Sequence, residues 1–407
     1  MTDPYASLRI PAFRRFIAFL AAQTFATMVQ GVAVGWQLYA VTHDPLSLGL
    51  VGLAEALPFI GFALPAGHLA DRIDRRRLSL VALAVLSVCS AALLSASALG
   101  LIRPTTAWVV YGVIFVSGIA RSYLQPTRTA LAADLVPRDL YTNSIAWRSS
   151  TWQSMAVLGP AAGGVLVAIG GPVLTYAITT VLLGVAWVAL LGVTPSQRHA
   201  PEPEPASASG LLHGVRFVLT QPVLLGAQTL DLFSVLFAGA EALMPVFAAD
   251  ILHVGAAGLG VLRAAPAAGS VLMSLKTAFR PLRGRTGRVL LTSVALYGLC
   301  ISGFGVSRSF PLSVALLLFS GVFDNVSVVI RSTLLQTLTP RNLLGRVSAV
   351  NAIFIGSSNE IGAFESGVAA RLLGPVAAVV LGGFAPIVVV GLIAWRVPAL
   401  RRLDQVT

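Results

Sequence analysis

The sequence predicts an all-α polytopic membrane protein with twelve transmembrane helices in two pseudo-symmetric six-helix bundles. Three observations predict this fold: the composition, a series of long apolar runs and an internal repeat. Of the 407 residues, 56% are hydrophobic and only 11% are charged, and the mean hydropathy is +0.84. Soluble domains carry about 25% charged residues, so this chain has too little charge to cover a soluble surface. The composition argues against a soluble enzyme, a disordered chain and a disulfide scaffold.

The apolar runs have the length that a membrane requires. A helix needs about 20 mostly apolar residues to cross the hydrocarbon core of a bilayer. Helices are expected rather than strands, because an open sheet cannot satisfy its backbone hydrogen bonds in lipid. Twelve runs qualify, at 14–41, 46–67, 78–100, 105–131, 145–169, 172–193, 223–249, 255–279, 288–307, 310–335, 347–372 and 374–397.

Basic residues predict the orientation of these spans. The odd-numbered gaps between spans hold Arg103 and Arg308, whereas the even-numbered gaps and both termini hold clusters of arginines. Because basic residues are retained on the cytoplasmic side, both termini are expected in the cytoplasm of a bacterial inner (plasma) membrane protein. The net charge of +12 is therefore explained by topology. Since no nucleic-acid reader motif accompanies these clusters, no nucleic-acid partner is expected.

A polar segment divides the chain near its middle. Residues 194–210 read TPSQRHAPEPEPASASG, which is rich in Pro, Ser and Glu and cannot bury a core. The following residues, 211–222, have an amphipathic pattern typical of a segment that lies along a membrane surface. The predicted organisation is an N-terminal six-helix bundle (1–193), a cytoplasmic linker with an amphipathic segment (194–222) and a C-terminal six-helix bundle (223–407).

The two halves show an internal repeat. A shift of 208 positions places Gly52 on Gly260 and Pro58 on Pro266, and a shift of 203 positions places Arg128 on Arg331. Spans 2 to 4 therefore match spans 8 to 10 in the same order. A parallel repeat of this kind predicts an axis along the membrane normal, with a substrate site at the interface of the halves.

Several motifs resemble those of a known superfamily. The gap after span 2 reads GHLADRIDRRR from Gly67 to Arg77 and closely resembles the signature loop of the major facilitator superfamily. The sequence GPAAGG at 159–164 is similar to the motif of the superfamily's antiporters. The sequences GVRFV at 214–218, Thr339-Pro340 followed by GRV at 345–347, and Gln125-Pro126 followed by 134–138 resemble the enterobactin-exporter-like drug and siderophore exporters. Asp74, Met155 and Phe279 depart from the usual patterns.

The resemblance implies gating roles for the signature loop. Asp71 is expected to face the start of span 11, and Arg72 or Arg76 to pair with Asp134, so that the cytoplasmic gate is latched. For Arg75 to Arg77, a solvated topological cluster is the favoured interpretation. The antiporter-like motif is expected to act as a pivot or seal, or equally as ordinary close packing. The gating residues predicted are Gly67, Asp71, Arg72, Arg76, Asp134, Gly159, Pro160, Gly163 and Gly164.

Ionisable residues within spans are candidates for proton coupling. Such residues cost about 2.5–3.5 kcal/mol each on insertion scales, so they usually face a cavity or a partner. Arg121 and Asp324 occupy equivalent repeat positions with opposite charge, and so do Glu55 and Arg263. Each pair is expected to meet in one state and separate in another, so that the acid exchanges its arginine for a proton. Asp324 is the first candidate and Asp231 the second, with a static ion pair as the alternative.

The substrate cavity is expected along spans 1, 4, 7 and 10, as the resemblance implies. Gln23, Thr27 and Gln30 fall at i, i+4 and i+7, on one helix face. Trp36, Tyr123 and Asn325 are further candidates, with an interfacial or packing role favoured for the aromatic residues. No metal, dinucleotide or nucleotide motif is present in the sequence, so no cofactor is expected and an ion gradient is the natural energy source.

These patterns predict a secondary active transporter rather than an enzyme. The favoured function is proton-coupled efflux of small amphipathic molecules, drug-like or siderophore-like, by alternating access. The alternatives are a proton symporter or facilitator that imports a small metabolite and, less favoured, a lipid flippase or a non-transporting sensor. The expected partners are a small-molecule substrate, protons and the lipid bilayer, and the expected state is a monomer.

Overall fold

The computed structural model describes residues 3–194, 215–237, 239–280, 284–340 and 343–404, without the side chains of 63, 64, 68, 70–72, 346, 349, 352 and 353. All regular secondary structure in these ranges is helical. The main helices are α1 (Pro11–Thr42), α2 (Pro45–Arg72), α3 (Arg75–Ala98), α4 (Trp108–Asp134), α5 (Tyr141–Leu191), α6 (Pro222–Phe237), α7 (Ala240–Val246), α8 (Gly255–Phe279), α9 (Thr286–Val306), α10 (Phe310–Leu338), α11 (Leu344–Leu373), α12 (Pro375–Arg396) and α13 (Pro398–Arg401). Residues 215–220, within the predicted amphipathic segment, are also helical.

Ten helical segments of the described chain are long and apolar enough to cross a membrane. One of them contains α5, whose 51 residues hold two of the predicted spans. Gly171 divides α5 with φ 68° and ψ −173°, a conformation that side chains disfavour, and Pro172 follows it. The charged helix α11 is not among the ten. These helices are consistent with twelve spans, and the exact count stays a prediction.

Contacts divide the chain into two units, and unit 1 comprises Met1–His43 and Leu57–Pro205. Its core forms where α1 packs along α5, and where α3 packs against α4 and α5. Phe13, Phe16 and Phe19 of α1 are fully buried in this core. The three phenylalanines recur every three residues, so one face of α1 is directed into the unit.

Unit 2 comprises Asp44–Ala56 and Ala206–Thr407. Within it, α12 packs against α9 and α6, α8 against α10, and α11 against α6. Leu230, Leu290 and Leu334 are fully buried in its core. In addition, α9 packs against α10, as α3 packs against α4 in unit 1. The two units therefore share a helix pair that the predicted repeat relates.

The first part of α2 belongs to unit 2 because it packs against α11. A Cβ atom on Gly367 would lie 2.7 Å from the Cα of Gly49, and one on Gly52 would lie 2.7 Å from the Cβ of Ala363. Small residues at these crossings let the two backbones approach closely. At the same end, Arg371 forms an ion pair with Asp44 at 3.5 Å. The units therefore differ from the predicted bundles at Asp44–Ala56.

Large apolar side chains remain on the surface of both units. Ile169, Phe279 and Trp395 are 76%, 85% and 71% exposed. Soluble monomers rarely expose extensive apolar surface. This surface is the kind that contact with lipid requires.

Candidate functional site

A buried ion pair joins α6 and α10 in unit 2. Arg331 contacts the carboxylate of Asp231, and the two side chains are only 7% and 9% exposed. The Nε of Arg331 also donates a hydrogen bond of 3.1 Å to the Oγ of Ser327, one turn earlier on α10. Asp231 was a predicted coupling residue, but Arg331 was not. The repeat contained the signal, because Arg331 stands at the position that matches Arg128.

Asp324 lies in the electrostatic field of this pair. The charges of Arg331, Asp231 and Glu241 all act on its carboxylate. Asp324 is seven residues before Arg331, which places both on the same face of α10. The side chain is partly exposed, and among the described residues no hydrogen bond to it is found. Unit 2 thus brings together two predicted acids, Asp231 and Asp324, with an arginine that the sequence analysis missed.

Arg263 on α8 extends the charged group. Its Nε is buried and has no hydrogen-bond partner among the described residues. The carboxylate of Glu241, in the first turn of α7, acts electrostatically on it. Glu55 lies on α2 and Arg121 on α4, both partly exposed. The predicted pairs Glu55–Arg263 and Arg121–Asp324 stay predictions.

Unit 1 holds its own partly buried polar cluster between α1 and α4. Arg128 donates a hydrogen bond of 3.0 Å from Nη1 to the Oε1 of Gln23. The amide nitrogen of Gln23 donates to the Oγ1 of Thr27 at 3.0 Å, which orients the amide oxygen towards Arg128. Gln23 is buried, whereas Thr27 and Gln30 are partly exposed. Gln23, one of the three residues predicted to share a face of α1, therefore binds an arginine that the sequence analysis had not selected.

Two of the other predicted cavity residues, Tyr123 and Asn325, contact neighbouring helices of their own unit. The ring of Tyr123 lies 6.2 Å from that of Phe62, which favours packing for this aromatic residue. The Nδ2 of Asn325 donates to the Oγ of Ser274 at 3.0 Å, while its Oδ1 is buried without a partner among the described residues. Trp36 is partly exposed on α1. Their roles in a substrate cavity stay predictions.

The arginines that begin α3 bind the ends of two other helices in unit 1. Arg75 donates to both carboxylate oxygens of Asp134, the last residue of α4, at 2.9 and 2.8 Å. This corrects the expectation that Arg75 belongs to a solvated cluster. The reason is local, since Asp74 caps α3 by accepting from the backbone nitrogen of Arg77, which sets Arg75 at the first position of the helix.

The other predicted gating residues of the signature loop are Gly67, Asp71, Arg72 and Arg76. Arg76 donates to the backbone oxygens of Leu190 and Leu191 at the end of α5, where helix carbonyls lack partners. This corrects the expectation that Arg76 pairs with Asp134, which Arg75 binds instead. The side chains of Asp71 and Arg72 lie outside the described residues. A Cβ on Gly67 would meet no described atom within 4 Å.

The antiporter-like motif packs directly on α1. A Cβ on Gly159 would lie 2.5 Å from the Cβ of Met28, and one on Gly163 would lie 3.1 Å from the backbone oxygen of Val29. Pro160 and Gly164 are buried in the same stretch of α5. Gly362 of α11, 203 positions after Gly159, would similarly place a Cβ 2.8 Å from the backbone oxygen of Leu236 on α6. The close approach is thus repeated in both units, and its role as a pivot stays a prediction.

The whole chain matches one family and a set of named transporters. Residues 2–407 match the family described as transmembrane secretion effector. The chain is 28% identical over 401 residues to the enterobactin exporter EntS of Citrobacter koseri, which covers 97% of this chain and 94% of that protein. The same identity and coverage hold for the enterobactin exporter EntS of Escherichia coli O1:K1. The resemblance to exporters noted in the sequence is therefore confirmed.

Solved transporter structures share the fold. A peptide transporter of the POT type in complex with alafosfalin superimposes with a TM-score of 0.75 at 11% identity, covering 100% of both chains. A bacterial homologue of the human lysosomal transporter Spinster gives a TM-score of 0.72 at 15% identity, with 96% of each chain covered. The matched relatives are transporters rather than enzymes. This chain is a multi-pass membrane transporter of the major facilitator superfamily and belongs to its transmembrane secretion effector family.

Proposed function

We propose that this protein exports small amphipathic molecules, drug-like or siderophore-like, in exchange for protons by alternating access. We further propose a monomer in the bacterial inner membrane with both termini in the cytoplasm. The similarity to named exporters supports outward transport. The observation that carries proton coupling is the ion pair between Asp231 and Arg331, with Asp324 on the same face of α10 as Arg331.

The charge balance of this group suits proton exchange. One guanidinium contacts the carboxylate of Asp231 and acts electrostatically on that of Asp324, and an uncompensated charge inside a membrane protein is costly. A proton on Asp324 removes the excess negative charge while Arg331 neutralises Asp231. If Arg331 moves to Asp324, Asp231 becomes the acid that requires the proton. The group therefore has two arrangements that are each neutral with one proton bound.

The other predicted residues have supporting roles in this proposal. Arg121, the repeat equivalent of Asp324, is the cation that competes with the proton, and Glu55 and Arg263 form a secondary pair. The polar face of Gln23, Thr27 and Gln30 contributes to the substrate cavity. The packed glycines of α5 act as a pivot, and the contact between α2 and α11 in unit 2 is a gate that opens during transport.

The test is proton movement in proteoliposomes that enclose a pH-sensitive dye. Ethidium and fluorescein serve as probe substrates of opposite charge, and a pH gradient is imposed across the membrane. Asp324→Asn is expected to abolish probe-dependent proton movement, whereas Asp139→Asn, at an exposed acid outside the spans, leaves it unchanged. Normal coupling in Asp324→Asn would remove this residue from the mechanism. Probe and protons moving in the same direction would indicate symport instead of antiport.

A further inference from the structure

The hydrogen bond between Gln23 and Arg128 is the repeat equivalent of the ion pair between Asp231 and Arg331. The shift of 208 positions that relates span 2 to span 8 places Gln23 on Asp231, and the shift of 203 positions places Arg128 on Arg331. In unit 1 α1 supplies the oxygen and α4 the guanidinium, and in unit 2 α6 and α10, the equivalent spans, do the same. The two contacts differ in one respect, because the oxygen belongs to a neutral amide in unit 1 and to a carboxylate in unit 2.

This difference leaves a positive charge uncompensated in unit 1. An amide oxygen accepts a hydrogen bond but carries no net charge, so Arg128 keeps its full charge after binding Gln23. The side chain of Arg128 is partly exposed, and Gln23 is its only hydrogen-bond partner among the described residues. A guanidinium has five N–H donors, so several remain available to a ligand.

A second arginine lies beside the first. Arg148 of α5 approaches the Oγ1 of Thr129 at 3.5 Å, and Thr129 is the residue that follows Arg128 on α4. The charge of Arg148 acts on that of Arg128, as does the charge of Arg121. Arg148 is also partly exposed, and its contact with Thr129 is again to a neutral oxygen. Like charges at close range in a membrane protein repel each other, and an anion placed between them relieves that repulsion.

We propose that Arg128 and Arg148 bind an anionic group of the transported molecule, so that the substrates are organic acids. This inference rests on the proposed function, because it names the substrate class of the same transporter. Guanidinium groups suit this role, since their planar donors match the two oxygens of a carboxylate and form charge-assisted hydrogen bonds. Gln23 is then a specificity residue, because its neutral amide orients Arg128 without neutralising the positive charge that binds the substrate.

The test is equilibrium binding to the purified full-length protein in detergent, measured by fluorescence anisotropy. Fluorescein is the anionic probe, and rhodamine 123, a methyl ester of similar size that carries no carboxylate, is the cationic probe. Fluorescein is expected to bind in preference to rhodamine 123. Arg128→Gln and Arg148→Gln should each weaken fluorescein binding about tenfold, the effect of losing one charge-assisted hydrogen bond. Arg14→Gln, which removes an exposed arginine on α1, is the matched control and should bind fluorescein as the unmodified protein does.

Gln23→Asp separates loss of charge from loss of the arginine. This substitution gives unit 1 the carboxylate that unit 2 has, so Arg128 stays in place while its charge is neutralised. Fluorescein binding should weaken about as much as in Arg128→Gln, which corresponds to roughly tenfold. A normal elution profile and thermal unfolding temperature establish that the variant is folded. Unchanged fluorescein binding in folded Gln23→Asp and Arg128→Gln, or binding of rhodamine 123 that is tighter than that of fluorescein, would overturn the anion site.

The same assay distinguishes failure of this inference from failure of the proposed function. Asp139→Asn, which changes an exposed acid outside the spans, should bind fluorescein normally in detergent. Arginine-dependent binding together with absent proton coupling in liposomes would support the anion site and reject the coupling mechanism. Normal coupling with ethidium and no arginine-dependent binding of fluorescein would reject the anion site alone.

Discussion

Arg331 and Asp231 form an ion pair whose side chains are 7% and 9% exposed, at the contact of α10 with α6. A buried pair of this kind is costly to break, because removal of one partner leaves the other charge without compensation. The pair therefore links the stability of unit 2 to the residues that we assign to proton coupling.

Arg331→Gln is expected to destabilise the protein by about 3–5 kcal/mol, because Asp231 then remains as a buried, unpaired carboxylate. Asp231→Asn combined with Arg331→Gln should recover much of this loss, since neither charge remains. The measurement is thermal unfolding of the purified protein in detergent. If the double variant is no more stable than Arg331→Gln alone, the loss does not come from the unpaired carboxylate.

Arg75→Gln is expected to lower stability by about 1–3 kcal/mol, because it removes two hydrogen bonds to a buried carboxylate. Arg77→Gln is the matched control, since Arg77 is exposed and contributes its backbone nitrogen to the cap of α3. Thermal unfolding checks both variants. Equal effects at Arg75 and Arg77 would mean that the contact with Asp134 contributes nothing to unit 1.

Gly367→Val should separate the first part of α2 from α11, because even a Cβ atom would lie 2.7 Å from the Cα of Gly49. The measurement uses Ala363→Cys in a protein whose Cys89 and Cys300 are replaced by Ser. The rate at which a membrane-impermeant maleimide labels this cysteine is recorded. Labelling should be faster in Gly367→Val. Gly391→Val is the control, since a Cβ there would meet no described atom within 4 Å. Equal labelling rates in the two variants would argue against a gate at this contact.

Gly171→Ala is expected to cost about 1 kcal/mol or more of stability, because the residue has φ 68° and alanine disfavours this region. The substitution should also disturb the turn between the two spanning parts of α5. Gly184→Ala serves as the control, since it lies in the same helix and its added Cβ would meet no described atom within 4 Å. Thermal unfolding compares the two, and an equal stability would show that Gly171 is not required for its conformation.

Two sequence signals anticipated much of the site. Asp231 and Asp324 stood out because acids are rare within apolar runs, and unit 2 contains both in one charged group. Gln23 and Thr27 stood out by helical spacing, and they lie together on α1. Arg128, Arg148 and Arg331 were not selected, although the repeat aligns Arg128 with Arg331. The shift of 208 positions also aligns Gln23 with Asp231, and the shift of 203 positions aligns Arg128 with Arg331. Taken together, the two shifts would have predicted both arginine contacts.

Hydropathy and the positions of charged residues were sufficient to predict a helical membrane transporter, because lipid requires long apolar helices with internally satisfied backbones. The choice of partners required the folded chain. Arg75, which the sequence placed in a solvated cluster, binds Asp134, and Asp44–Ala56 packs with α11. Both contacts join residues far apart in sequence. Periodicity specifies which face of a helix is buried, whereas helix crossings and side-chain reach decide which charges meet across that face.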